Sequence, residues 1–264
     1  MGDPTTALTP LRSVRATRYV TPLREGGSMP GLVEADDDGL YVVKFRGAGQ
    51  GLKALIAEVV VGEVARALGL RVPEIVLVEV DPLLAAAEPD PEIQELVQAS
   101  GGSNAALDFL PGALPFSPAA PVGVTAELAA DIVWLDALSA NVDRTPRNPN
   151  MLIWHEQLWL IDHGAALYRH HAATWPQGAA TATFPLIADH VLLPFAGSIA
   201  EADERLAPRL DRAVLERIVS AVPDDWLGDD AALAREIYVD YFAKRLTAPR
   251  AFAVEAEEAR RALA

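Results

Sequence analysis

The apolar pattern of the first half of the chain predicts strands interrupted by one helix. Residues 14–23 and 39–46 are rich in β-branched and aromatic side chains, and a glycine-containing turn lies between them. Residues 52–68 carry Leu, Ile and Val at helical spacing and are followed directly by a glycine, which predicts a helix. The apolar run 75–80 and the short stretch 105–110 predict two more strands.

The pattern becomes helical beyond a proline-rich connector at 111–123. Thr125 is a favourable N-cap for an apolar helix that ends near Ala140. A polar loop follows, and residues 151–162 then form two short apolar runs around a His-Glu pair, which predicts a hairpin. Residues 203–264 predict further helices, with breaks at two prolines.

The order of these elements predicts an α+β fold with two lobes around a cleft. The first lobe, 1–112, is expected to be β-rich with one helix, and the second, 113–264, is expected to be mainly helical. A chain of 264 residues is long enough to bury the apolar core that such an arrangement requires.

Charge and composition narrow the range of partners. Lys and Arg number 22 and Asp and Glu number 37, which gives a net charge of 22 − 37 = −15. A field of this sign repels nucleic-acid backbones and anionic membrane surfaces, so we expect neither as a partner. The sequence contains no apolar run of the ~20 residues that span a bilayer and begins without a secretory h-region, which predicts a cytoplasmic protein. The absence of cysteine excludes thiolate chemistry.

The most informative polar residues lie in the loop 141–148 and directly after the predicted hairpin. Asp143 precedes Asn148 by five positions, and Asp162 follows the hairpin two residues before Gly164. Phosphoryl transfer needs a carboxylate near the attacking hydroxyl and hard oxygen ligands for Mg²⁺, and this order of residues can bring all three side chains to one cleft. The alternative is that Asp143 and Asn148 are ordinary turn residues of a polar loop.

This segment resembles the HipA-like kinases, a bacterial branch of the protein-kinase-like fold related at its core to phosphatidylinositol kinases. The resemblance implies that Asp143 is the catalytic carboxylate and that Asn148 and Asp162 are ligands of Mg²⁺. The histidine that is common in the family's motif is replaced here by Thr145 or Pro146. The resemblance also implies that the first lobe binds the nucleotide and that the second lobe is catalytic.

Two residues of the first half extend the resemblance. Lys44 is the lysine of the predicted strand YVVKF, where burial of an ammonium group without a partner is costly. Glu58 precedes the stretch ALGLRVP, which matches the Glu-then-Leu-Gly-Leu-x-Val-Pro pattern of the family. The resemblance implies that Lys44 holds the ATP phosphates and pairs with Glu58, and Glu63 on the same helix is the alternative partner.

Two short segments are expected to contact the rest of the nucleotide. In the glycine turn, backbone amides can approach phosphate oxygens as in an anion nest, and HipA-like kinases can phosphorylate a serine of this loop. The segment after the last predicted strand of the first lobe resembles the hinge whose backbone meets adenine. The ATP-binding residues predicted in these two segments are Gly26, Gly27, Ser28, Asp108, Phe109 and Leu110.

The histidines and the environment of Asp162 complete the predictions for individual residues. His163 is expected to be a packing residue, and His170 and His171 have no acidic partner at metal-ligand spacing. Asp162 ends an apolar strand, so its ionised carboxylate is expected to destabilise the protein until a metal cation neutralises it.

The resemblance as a whole implies a Ser/Thr protein kinase that uses ATP and Mg²⁺ to phosphorylate a hydroxyl group. A small-molecule kinase of the aminoglycoside-phosphotransferase type and a nucleotide-binding pseudokinase that acts as an interaction module are the alternatives. The matching motifs run from about Gly26 to Gly164. We see no room before them for the N-terminal subdomain through which HipA toxins engage their antitoxin, so we expect the catalysis without the toxin role.

Overall fold

Five strands of the first half close into a small barrel. The computed structural model describes residues 10–23 and 29–263. The strands are β1 Arg12–Pro22, β2 Gly31–Ala35, β3 Leu40–Lys44, β4 Ile75–Val80 and β5 Gly102–Asp108. They follow one another around the barrel in the order β1-β2-β3-β5-β4, and the barrel closes through a parallel pairing of β1 with β4. The other neighbouring strands are antiparallel.

The side chains of β3 alternate between the interior and the outer face of the barrel. Tyr41 and Val43 point inward and pack in the apolar interior with Val78 of β4. Lys44 lies opposite Ala105 of β5 and belongs to the other face. The alternation of the strand therefore places the predicted phosphate-binding lysine on the outer face of the barrel.

The first helix, α1 Gly51–Ala67, lies between this outer face and the second half of the chain. Twelve of its 17 residues are buried, as expected of a helix that is apolar on every side. Near its start, the ammonium of Lys53 donates to the carbonyl of His170. Beyond its end, Arg209 Nη1 donates to the carbonyl of Leu68 at 2.7 Å. Both ends of α1 are thus tied to residues of the second half.

The second half consists of helices around a small sheet. The remaining helices of the chain are α2 Pro91–Gln98, α3 Ala126–Ser139, α4 Ile199–Leu206, α5 Arg212–Ser220, α6 Ala231–Arg245 and α7 Ala251–Arg261. The sheet contains β6 Leu114–Pro115, β7 Met151–Trp154 and β8 Gln157–Leu160 in that order. Helix α3 forms the centre of the core, because ten of its 14 residues are buried. Within residues 10–23 and 29–263, no helix combines the length and apolar character needed to cross a bilayer.

The segment between β8 and α4 is ordered without forming an α-helix. It folds into four short 3-10 helices, Tyr168–His171, Ala179–Thr181, Pro185–Asp189 and Leu193–Phe195. Phe184 and Leu192 are buried in the core, and the buried ring of His170 contacts the hydroxyl of Tyr238 at 3.0 Å. The amide of Val191 donates to the carbonyl of Arg144 at 3.1 Å, which attaches this segment to the polar loop.

Most of the predicted elements are confirmed. The structure contains the predicted helices α1 and α3, the strands β1, β3, β4 and β5, and the β7–β8 hairpin. The hydroxyl of Thr125 accepts a hydrogen bond from the amide of Leu128 at 3.1 Å, so Thr125 is the N-cap of α3. Helix α3 ends at Ser139, and its C-cap Ala140 has a left-handed φ of 51°.

Two elements of the first half differ from the prediction. The strand β2 was not predicted, so β2 and not β3 is the strand that follows β1 along the chain. The helix α2 lies in a stretch for which we predicted no element, so the described part of this half contains two α-helices and not one. Helix α2 begins at Pro91 after Asp90, whose carboxylate accepts a hydrogen bond from the amide of Glu92. An N-cap aspartate followed by proline is a start signal that the sequence contains.

Candidate active site

Lys44 lies between two carboxylates at the junction of the barrel and the second half. Its ammonium forms an ion pair with Asp162 and lies 3.9 Å from Glu58 Oε2. The side chains of Lys44 and Glu58 are only 11% and 1% exposed, whereas that of Asp162 is 33% exposed. Glu63 instead pairs with Arg66 at 2.7 Å. Of the two candidate glutamates, Glu58 is therefore the one that faces Lys44.

Burial and charge act in opposite directions on these three groups. Burial disfavours the ammonium of Lys44, but Glu58 and Asp162 together raise its pKa above the ordinary value. Burial raises the pKa of Glu58, because the attraction of Lys44 does not offset the loss of water. Burial also opposes ionisation of Asp162, yet contact with Lys44 lowers its pKa. Lys44 and Asp162 are thus the charged pair of this site.

The ion pair corrects one prediction about Asp162. We expected its carboxylate to lack a cation in the absence of metal and to destabilise the protein. The structure shows that Lys44 of β3 supplies the positive charge. The sequence did not reveal this partner, because Lys44 and Asp162 are far apart along the chain and only the packing of the barrel against the second half brings them together.

The β7–β8 hairpin delivers Asp162 to this position. After β8, the amide of Ile161 donates to the carbonyl of Asn150 at 3.1 Å, which keeps the end of the hairpin beside the polar loop. Asp162 then adopts a left-handed backbone with φ of 56°. Aspartate is one of the few residues other than glycine that visit this region readily. The chain thus leaves the sheet at Asp162.

Asp143 is held by two side-chain amides. Asn148 Nδ2 donates to Asp143 Oδ2 at 2.7 Å, and Asn150 Nδ2 donates to the same oxygen at 3.1 Å. The backbone amide of Asp143 also donates to Asn141 Oδ1 at 3.1 Å. Asp143 and Asn148, five residues apart, therefore meet as the spacing predicted, and the carboxylate has a fixed orientation.

A buried guanidinium joins the loop of Asp143 to the strand end of Asp162. Arg144 is 1% exposed and donates through Nε to Asp136 Oδ2 at 2.6 Å. Its Nη1 donates to the carbonyl of Asn150 and, at 3.5 Å, to that of Ile161. These carbonyls belong to the residues that flank the site on the loop and on the hairpin. Arg144 therefore sets the position of one side of the site relative to the other.

Asp136 of α3 anchors this guanidinium. It is fully buried and also receives hydrogen bonds from Asn141 Nδ2 at 3.0 Å and from His190 Nε2 at 2.8 Å. Burial alone would raise the pKa of Asp136, but Arg144 and His190 hold it well below the usual range. The Nδ1 atom of His190 accepts a hydrogen bond from the amide of Leu192. Nε2 therefore carries the hydrogen and donates it in the hydrogen bond to Asp136. Asp136 thus attaches α3 to the polar loop through Asn141 and Arg144.

His163 is a packing residue, as the sequence predicted. Its ring is fully buried, and Nδ1 lies 3.4 Å from Arg144 Nη2. Burial and the neighbouring guanidinium lower the pKa of His163 to about 3, so the ring is neutral. Its Nε2 has no hydrogen-bond partner within the part of the chain that the structure describes. His163 thus fills space behind Asp162 without adding charge.

A pocket opens beside the Lys44–Asp162 pair. It lies between the end of β3, the first turns of α1 and the segment after the hairpin. Its lining combines the charged groups Lys44, Glu58 and Asp162 with small and apolar residues, among them Ala54 and Gly164. Convergent polar groups on an apolar wall are the chemical lining that small-molecule sites share.

The remaining residues predicted to contact the nucleotide do not line the pocket beside Lys44 and Asp162 among the described residues. Gly26, Gly27 and Ser28 lie outside the described residues. Asp108 shares the inward face of β5 with Ala106, opposite to the face that carries Lys44.

Part of the backbone at the end of β5 and just after it is already hydrogen-bonded to other residues of the protein. The amide of Asp108 donates to the carbonyl of Glu74 at 2.8 Å, and that of Phe109 donates to the carbonyl of Leu40 at 2.9 Å. Of the three hinge amides, only that of Leu110 is not donated to a described residue. Contact of this segment with adenine stays a prediction.

Sequence reasoning missed the buried support of the site. We did not predict that Arg144 would be buried, and we did not consider Asp136, Asn150 or His190. One signal was available, because Asp136 interrupts the apolar sequence of α3. A carboxylate at such a position requires a cationic or hydrogen-bonding partner.

The donor set fits a metal that arrives with a nucleotide. Among the described residues, no three acidic or histidine side chains come together as a metal site of their own. Asn148 keeps its Oδ1 free of hydrogen bonds to described residues, since its Nδ2 makes the bond to Asp143. In addition, the ammonium of Lys44 already occupies a cation position on Asp162. Mg²⁺ commonly takes one or two protein oxygens and completes its shell with phosphates and water, so Asn148 and Asp162 suffice.

Comparison with known proteins agrees with this geometry. Residues 17–251 match the HipA-like kinase family. The fold and the site therefore define a kinase-like phosphotransferase, and the chain belongs to the HipA-like kinases. Among solved structures, the proinflammatory kinase CtkA of Helicobacter pylori shares the fold with a TM-score of 0.58 and 14% sequence identity, over 94% of this chain and 99% of that chain. No curated protein matches the sequence.

We expect the substitution Asp162→Asn to lower stability without ligand and to remove the response to Mg²⁺-ATP. Lys44 would lose its closest carboxylate, which should cost about 1–2 kcal/mol at a partly exposed position. Mg²⁺-ATP at a hundredfold its Kd should stabilise the wild type by roughly 2–3 kcal/mol. Thermal melts of both proteins with and without Mg²⁺-ATP measure the two effects.

A matched control is Asp240→Asn. Asp240 lies on α6, and this change removes an exposed ion-pair partner of Arg212 on α5. This variant should keep the full stabilisation by Mg²⁺-ATP. If Asp162→Asn also keeps it, Asp162 is a structural residue and the metal assignment is wrong.

Proposed function

We propose that this protein is a cytoplasmic kinase that transfers the γ-phosphate of ATP, with Mg²⁺, to a Ser or Thr hydroxyl of a protein. The observation that carries the proposal is the combination of two features, an oriented carboxylate and a charged pair beside a pocket. Asp143 is oriented by Asn148 and Asn150. Lys44 and Asp162 form a charged pair that lines a pocket.

Each residue has a distinct role in this proposal. Bound Mg²⁺-ATP supplies the electrophilic γ-phosphorus and the charge neutralisation that phosphoryl transfer requires. Asp143 receives the proton of the acceptor hydroxyl at its carboxylate and orients that hydroxyl for attack. Lys44 holds phosphate oxygens, with Glu58 behind it, while Asn148 and Asp162 bind the metal. Arg144 keeps the two carboxylates, Asp143 and Asp162, at a fixed separation.

The rest of the nucleotide site follows the same division of the chain. We assign nucleotide binding to a first lobe, 1–112, and catalysis to a second lobe, 113–264. In the first lobe, the glycine turn 26–28 covers the phosphates and the backbone of 108–110 contacts adenine. The ties between α1 and the second half, through Lys53 and Arg209, support a cleft that is already assembled without ligand.

Transfer of labelled γ-phosphate from ATP by the purified protein tests the proposal. With Mg²⁺, we expect label on Ser or Thr of a mixed protein substrate, as identified by phosphoamino-acid analysis. Lys44→Met should remove the activity, because a buried apolar side chain cannot hold phosphate oxygens. Label on a small alcohol but on no protein would assign a small-molecule kinase. Nucleotide binding without any release of γ-phosphate would assign a pseudokinase.

A further inference from the structure

Arg147 lies at the corner of a tight turn within the loop of Asp143. The backbones of Thr145 and Asn148 exchange two hydrogen bonds, each 3.1 Å long. Pro146 occupies the first corner and restricts the backbone further. Because Asn148 also donates to Asp143 Oδ2, the turn has a fixed position relative to the catalytic carboxylate. Arg147 therefore projects from a rigid support, close to the reacting groups.

The guanidinium of Arg147 has no partner in the described part of the chain. It is exposed, and it makes no ion pair or hydrogen bond with residues 10–23 or 29–263. Many other arginines are paired with carboxylates, among them Arg12, Arg18, Arg46, Arg205, Arg212 and Arg250. Arg147 differs from other exposed arginines without a described partner, such as Arg217, by its place four residues after Asp143.

The neighbouring arginine cannot serve the same purpose. Arg144 is buried and committed to Asp136 and to two backbone carbonyls. Arg147 is consequently the basic side chain that this loop offers to a ligand.

One carboxylate oxygen of Asp143 is open to a ligand. Its Oδ2 accepts both side-chain amides, whereas its Oδ1 accepts no hydrogen bond from a described residue. The loop thus carries an open carboxylate oxygen for a hydroxyl and, four residues later, a free guanidinium. A ligand that satisfies both must contain a hydroxyl group with an anionic group nearby.

We propose that Arg147 selects the acceptor by binding an Asp or Glu side chain next to the Ser or Thr that is phosphorylated. This inference rests on the proposed function and names its substrate class, an acidic segment of a protein. Arginine is suited to the task because its planar guanidinium can bind a carboxylate through two parallel hydrogen bonds. The net charge of −15 repels an acidic segment at long range, so Arg147 contributes the local attraction that fixes its register.

Serine peptides that differ only in their flanking residues test this inference. In three otherwise identical peptides, the flanking positions carry Glu, Gln or Lys. Wild-type protein should show the lowest KM for the Glu peptide. Arg147→Ala should raise that KM about five- to tenfold, as expected for the loss of a partly desolvated Arg–carboxylate pair, and should leave the Gln peptide's KM nearly unchanged.

Two variants make the comparison specific. Arg147→Glu should reverse the order of the peptides, so that the Lys peptide has the lowest KM. The control Arg217→Ala removes an exposed arginine of α5 and should keep the wild-type preference for the Glu peptide.

The possible failures are distinguishable. Equal KM values for the Glu and Gln peptides, or a preference that survives in Arg147→Ala, would overturn the role of Arg147. Labelling of the mixed protein substrate without labelling of any of these peptides would overturn the acidic-peptide class as well, while the proposed phosphotransferase activity itself would stand. Absence of any release of γ-phosphate would refute the proposed function, and this inference with it.

Discussion

Replacement of Asp143 by Asn should lower phosphoryl transfer by about 10²–10⁴-fold, the usual contribution of a positioned acid or base. The change preserves shape, and the side-chain carbonyl of an asparagine can still accept the hydrogen bonds that Asn148 and Asn150 now give to Oδ2. The new amide group, however, cannot receive the proton of an acceptor hydroxyl. Transfer of labelled phosphate to a protein substrate measures the effect.

Nucleotide binding should survive the same change. In the proposed site, Lys44 and Asp162 hold the phosphates and the metal, and neither contacts Asp143 through a hydrogen bond. Calorimetry with Mg²⁺-ATP should therefore give nearly the same affinity for Asp143→Asn and for the wild type. A loss of less than about tenfold in the transfer rate would be smaller than the usual contribution of such a group. It would show that the proton acceptor lies elsewhere.

Replacement of Arg144 by Met should destabilise the protein by about 3–5 kcal/mol, which is typical when one partner of a buried ion pair is removed. Asp136 would keep only Asn141 and His190 as partners, so its charge would be insufficiently compensated in the core. The carbonyls of Asn150 and Ile161 would also lose a donor. Chemical denaturation gives the change in stability, and kinetics at saturating ATP give the change in kcat.

A second substitution separates the structural role of Arg144 from its positioning role. In Arg144→Met, the further change Asp136→Asn removes the uncompensated charge and should restore part of the stability. The transfer rate should remain low, because the guanidinium that binds the carbonyls of both Asn150 and Ile161 from the loop of Asp143 is then missing. Arg144→Lys should retain an intermediate kcat, since an ammonium keeps the charge but not the fork of donors. Recovery of kcat together with stability in the double variant would mean that Arg144 only maintains the fold.

Local signals in the sequence account for much of the fold and for the central residues of the site. The helices α1 and α3 were visible because each is a long apolar segment with a turn or cap residue at its end. The β7–β8 hairpin was visible because two short apolar runs flank a polar pair. Asp143 and Asn148 lie five residues apart in the loop before this hairpin, so their pairing followed from spacing.

Short elements gave weaker signals. Strand β2 has five residues, four of them buried, and so lacks the alternation that marks a half-buried strand. Helix α2 has eight residues in a stretch rich in proline and acidic residues. Its N-cap signal was present, but its length is below that at which helical periodicity becomes clear.

The types of residue in the candidate site follow from local sequence patterns, whereas packing selects which of several residues of one type meet there. Glu58 and Glu63 are five positions apart, which places them about 140° apart around α1. Because α1 is apolar on nearly every side, its sequence does not indicate which face meets the barrel, and only the packing selects Glu58 for Lys44. Arg144 and Arg147 likewise belong to one polar loop, and it is the buried Asp136 on α3 that draws in Arg144 and leaves Arg147 in solvent. Spacing along a chain fixes local neighbours, whereas a partner on another element is fixed only when the core closes.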